Sequence, residues 1–151
     1  MPTDRELIQK WWLEAWTDGL WSASWQKSLE GLTPQQAAWQ PSTPAGPRHS
    51  IWQIVLHMIF WRESWFRRAS TGQKPTKEEV AAGNFPAVPA VTDEAWNQAR
   101  HHFHETQDRM IAALKISDPS HEVLIYFLPH DMYHFGQINY LRAMQGLPPI
   151  E

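Results

Sequence analysis

From Ile51 to Thr71 the chain reads IWQIVLHMIFWRESWFRRAST, with neither glycine nor proline. Ser50 ahead of it, with Gln53 three residues on, is a capping box, in which two side chains satisfy the unpaired N–H groups of a helix start. Gly72 stands where a left-handed helix end needs a residue without a Cβ. The pattern predicts a helix from Ile51 to about Ser70. A helix that long, with an apolar face, has to bury that face against elements of similar length. The rest of the chain must supply them.

It does so with more helices. Thr3 and Glu6 repeat the capping box, which starts a first helix near Asp4 and carries it to about Glu30, with Gly19 as its weak point. A helix following Thr92 has Asp93 and Glu94 in its first turn, where they complement the helix dipole, and fades near Lys115. The last helix opens at Asp118-Pro119 and stops at Gly146, ahead of Pro148 and Pro149. Pro129 removes a hydrogen bond inside it and should kink or split it just before His130. Two Pro-rich linkers separate these segments, one with Pro34, Pro41, Pro44 and Pro47, the other with Pro75, Pro86 and Pro89. The second holds a short helix signal, Thr76 with Glu79, closed by Gly83. No segment alternates with period 2. The expectation is an all-α fold: one domain over residues 1–151, a four-helix bundle with long crossover linkers.

Composition narrows the function classes. With 42% hydrophobic and 19% charged residues, the chain falls among globular proteins. A net charge of −3 with scattered Lys and Arg presents no basic face, so no nucleic acid partner is expected. No apolar run approaches the roughly 18 residues of a membrane span, and the N-terminus lacks the apolar core of a signal peptide. The chain has no cysteine, so a bound metal must rest on His, carboxylate or water. This suits a cytoplasmic protein. Ten tryptophans are many for 151 residues. The first helix carries Leu7, Ile8, Trp11, Trp12, Trp16, Leu20, Trp21 and Trp25 over more than half its circumference, a surplus for either an oligomer interface or a cover of long linkers.

Chemistry concentrates in the histidines. In HDMYH, His130 and His134 are one turn apart on the inward stripe of the last helix, and His57 lies on the inward stripe of the second long helix with Ile54 and Trp61. Two readings stand on spacing alone. Each imidazole can be a core residue bonded to a carbonyl, or the three can converge on a metal with positions left open for water or substrate. HDMYH differs from the zinc-protease HExxH by the Asp131 carboxylate, one methylene shorter than Glu, and no later histidine follows. Asp131 reads instead as an acceptor for a histidine N–H, or as a solvated charge. The run His101, His104, Glu105, Asp108 reads as a solvated helix face rather than a second metal face. No nucleophile motif appears, and no catalytic residue is assigned.

The segments HSIWQIVLHMIFW and HDMYHFGQINYLRAMQGLPP resemble the two signature segments of the DinB/YfiT-like superfamily of small four-helix metalloproteins. The resemblance implies a divalent metal (Zn, Ni, Fe or Mn) on His57, His130 and His134, and frequent homodimers. Some relatives are thiol-dependent transferases or isomerases that use a low-molecular-weight thiol such as bacillithiol or mycothiol; others have no assigned activity. In that setting Trp61 walls a substrate pocket, Gln137 bonds a ligand histidine or a substrate, and Gly136 permits close helix approach. The alternative is a non-catalytic metal-binding or protein-interaction module.

Overall fold

The computed structural model describes residues 3–116 and 119–150. In chain order its elements are α1 (Asp4–Thr17), α2 (Trp25–Leu29), α3 (Pro34–Ala38), β1 (Ser42–Thr43), β2 (Gly46–Pro47), α4 (Ile51–Thr71), α5 (Lys77–Gly83) and α6 (Asp93–Leu114), then a 3-10 helix (Pro119–Tyr126) and α7 (Phe127–Met144). The fold is all-α, with one two-residue antiparallel pair, Ser42 against Pro47 and Thr43 against Gly46. Four long helices, α1, α4, α6 and α7, follow in the expected order. No helix among the described residues is long and apolar enough to cross a membrane.

Where caps were legible, the helix ends match them. Ser50 Oγ accepts from Gln53 N–H at 3.2 Å while Gln53 Oε1 accepts from Ser50 N–H at 3.1 Å, and Gly72 closes α4 at φ 75°. The same reciprocal bonds start α1 at Thr3 and α5 at Thr76. Two boundaries differ from expectation. The first helix does not continue to Glu30: Gly19 turns the chain at φ 74°, its N–H bonded to Glu14 O, and a separate α2 begins where Ser24 Oγ accepts from Lys27 N–H. A Cβ on Gly19 would stand 1.9 Å from Ser22 O, so this turn requires glycine. The last helix divides at Tyr126/Phe127, which leaves Pro129 in the first turn of α7, where a missing N–H costs no helical bond. Asp118, its expected start, lies outside the described residues.

The chain forms two compact units, residues 1–31 with 107–151, and residues 32–106. In the first, the core is aromatic: Trp25 stacks on Phe135 with centroids 5.0 Å apart and meets the edge of Trp12 at 5.6 Å. Arg142, almost fully buried, donates through Nη1 to Ser28 O and Glu30 O, carbonyls at the end of α2 that no helical N–H reaches. Arg5 and Gln9, one turn apart on α1, donate to Leu114 O at the end of α6. In the second unit, Trp52 packs on Trp96, whose indole N–H donates to Leu32 O. Buried Arg62 donates to Thr106 Oγ1 and lies 4.3 Å over the ring of Phe103. A bidentate Arg67–Glu79 pair, at 2.6 and 2.9 Å, ties α4 to α5.

Candidate functional site

His130 and His134 come one turn apart on α7, as their spacing requires, with ring centroids 4.5 Å apart. His134 is buried and His130 half-buried. Each ring is oriented from its own helix. His130 Nδ1 lies 2.8 Å from Asp131 Oδ1, and His134 Nδ1 lies 2.7 Å from Gln137 Oε1. Gln137 Nε2 in turn donates to Tyr133 Oη at 3.0 Å. Asp131 is fully buried, so the alternative of a solvated charge does not apply. An ionised carboxylate only accepts, so the contact calls for a proton on His130 Nδ1 whenever Asp131 is charged.

His57 is held in the same manner by residues from a linker. Its Nδ1 lies 2.7 Å from Asn84 Oδ1. The same oxygen accepts from Trp61 Nε1–H at 3.1 Å. An indole nitrogen can only donate, so the atom between the two rings is the amide oxygen and His57 Nδ1 carries a proton. Phe85 lies flat on His57, centroids 3.9 Å apart and planes within 10°, and its other face stacks on His49 at 3.9 Å and 2°. Burial, then the neighbouring Arg48 charge, hold the His49 pKa below the ordinary imidazole value. Phe85 is the one non-glycine residue with positive φ among those described, at 60°.

In all three histidines, then, Nδ1 faces an oxygen acceptor. A neutral imidazole with its proton on Nδ1 keeps its lone pair on Nε2, the tautomer that a metal ligand of this kind uses. Trp61 and Gln137 each direct a polar group to a histidine's oxygen partner or to the histidine itself. Gly136 does not serve close helix approach: a Cβ built there meets nothing within 4 Å. His101, His102, His104, Glu105 and Asp108 are all exposed, and the first and fourth of these form a helical i, i+4 pair at 3.4 Å. Asn84, Phe85 and His49 carry no sequence signal, because only the folded linker brings residues 84 and 85 against residue 57.

These features define a small all-α protein whose inward histidines are each fixed by an oxygen partner. A family model described as DinB superfamily matches residues 17–144, and the chain belongs to that superfamily. No curated protein and no solved structure matches it.

Proposed function

We propose that His57, His130 and His134 hold one divalent metal ion through Nε2, and that the protein is a metal-dependent enzyme acting on a small molecule, a thiol-dependent transferase or isomerase. The observation that carries this reading is the shared placing of Nδ1 against a side-chain oxygen, His57 on Asn84, His130 on Asp131 and His134 on Gln137, which leaves Nε2 of each ring for an ion. Each of the three residues offers one ligand atom for such an ion. Membership of the DinB superfamily supports the same reading.

The donor set fits such an ion. Three neutral imidazoles suit Zn, Ni and Fe, with Mn the poorer match among the four expected metals, and they leave coordination positions for water or a substrate. Bound there, the ion supplies Lewis acidity that lowers the pKa of a thiol or water. The chain's own residues do the rest. The buried Asp131 side chain orients the His130 ring, while Asn84 and Gln137 orient the other two without adding charge. The chain has no cysteine, so a low-molecular-weight thiol as cosubstrate would provide the nucleophile. A reducing cytoplasm is where such a thiol is kept as the free thiol.

The second reading, a non-catalytic metal-binding or interaction module, is favoured by one observation: Trp21 is fully exposed, and Trp11 and Leu13 nearly half so. We place the homodimer contact at Trp21, the most exposed of these. Elemental analysis of untagged protein, followed by a panel of low-molecular-weight thiols with a chromogenic electrophile, tests the proposal. Turnover that needs both thiol and metal supports the enzyme; a metal-loaded protein with no such turnover favours the module.

A further inference from the structure

The three histidines differ in how their oxygen partners are mounted. Asp131 and Gln137 sit on α7 beside the rings they serve, whereas the partner of His57 is twenty-seven residues away, just past the end of α5. We infer that the Asn84–Phe85 segment is a dedicated clamp for His57, in which Asn84 sets the ring's tautomer and Phe85 its plane. The inference rests on the metal reading for its purpose, but its structural content can be tested without metal.

The clamp has three parts. Asn84 Oδ1 accepts from His57 Nδ1 and from Trp61 Nε1, so the indole, one turn along α4 from the histidine, holds the amide in the orientation that the histidine needs. Without the indole donor, the amide could turn its NH2 group toward His57 and demand the opposite tautomer. Phe85 fills the space between His57 and His49 as the middle layer of a three-ring stack. To put its ring there, its backbone takes φ 60°, a conformation that favours glycine and that a bulky side chain adopts only when its surroundings compel it. Gln53 Nε2 donates to Pro86 O at 3.2 Å and secures the segment on its far side. A segment needed only to connect α5 to α6 would turn there with a glycine. Here the strained position carries a ring that covers one face of His57, and its neighbour carries the oxygen on His57 Nδ1. Both act through His57, which makes them positioning residues.

The test reads the His57 tautomer by long-range 1H–15N correlation on metal-free, 15N-histidine-labelled protein near pH 8, above the ordinary imidazole pKa of about 6.5. The wild type should show a protonated Nδ1. Asn84→Leu, which has similar bulk but no acceptor, should move His57 toward the Nε2–H form, and Asn84→Asp should keep the wild-type pattern. Trp61→Phe leaves Asn84 in place and should shift the tautomer in the same direction as Asn84→Leu, which keeps the test open if the leucine variant folds poorly. In zinc competition against a chromogenic chelator, Asn84→Leu should bind about 10- to 100-fold more weakly. Phe85→Gly relieves the backbone but removes the ring from the stack, and the folded protein should bind zinc about tenfold more weakly. An unchanged tautomer in both Asn84→Leu and Trp61→Phe would overturn the role of Asn84. A Phe85→Gly protein with wild-type zinc affinity would overturn that of Phe85. A wild type that binds none of zinc, nickel, iron and manganese sinks the metal reading, while the tautomer result still decides whether Asn84 positions His57.

Discussion

Gly83 closes α5 directly before Asn84, and a methyl group added there gives a prediction whose sign can be worked out. Its helical backbone does not need glycine, so alanine at a permissive helical site would stabilise by about 0.5–1 kcal/mol. The position is not permissive. A Cβ would stand 2.3 Å from Phe60 Cδ2 and 2.4 Å from Phe60 Cε2, more than an ångström inside the roughly 3.5–4.0 Å of a good carbon–carbon contact. Either the Phe60 ring swings or the end of α5 lifts, at a cost of about 1–3 kcal/mol. The net expectation for Gly83→Ala is therefore destabilisation by up to about 2.5 kcal/mol, a fall in Tm of up to about 10 °C for a chain this size. In a Phe60→Ala background the obstacle is gone, and the same substitution should stabilise by up to about 1 kcal/mol. Urea denaturation of the four metal-free proteins gives the complete cycle. A Gly83→Ala variant that is already stabilised in the presence of Phe60 would refute the reasoning, because the contact on which it rests would then cost nothing.

Two further expectations concern stability. Ser50→Ala removes the hydroxyl that starts α4 and leaves Gln53 N–H without its acceptor; the loss should be about 1 kcal/mol by urea denaturation, with Ser50→Gly costing a few tenths. Glu79 has its pKa lowered to about 2, first by hydrogen bonds from Arg67 and then by the backbone N–H of Thr76. A carboxyl depressed in the folded state contributes stability that is present above its unfolded pKa of about 4.3 and lost as the pH falls toward 2. Glu79→Gln should therefore flatten the acid limb of the stability curve between those values and leave a smaller difference in high salt.

Much of the fold was legible because helix caps are local. Ser50 with Gln53, Thr76 with Glu79, and the glycines at 72 and 83 report their boundaries within a few residues of sequence. The helix break at Gly19 was harder to read, since the apolar pattern runs on through Leu20, Trp21 and Trp25 as if one helix continued. Trp25 is core, but Trp21 belongs to the turn and is fully exposed. Hydrophobic periodicity alone does not separate those cases. Of the candidate site, the histidines could be found from their places on inward helical stripes. Their oxygen partners divide by distance along the chain. Asp131 and Gln137 lie within one turn of the rings they face, and the sequence shows them. Asn84 and Phe85 lie in a Pro-rich linker, and their relation to His57 exists only once that linker has folded back along α4.

The central claim is that three imidazoles share one divalent ion. Purified untagged wild type, apo-treated and then incubated separately with zinc, nickel, manganese and iron, should retain about one ion per chain of at least one metal after desalting. His57→Ala, His130→Ala and His134→Ala, each still folded by circular dichroism, should each lose most of it. A folded wild type that retains none of the four metals, or a His57→Ala variant that binds as tightly as wild type, would contradict the account.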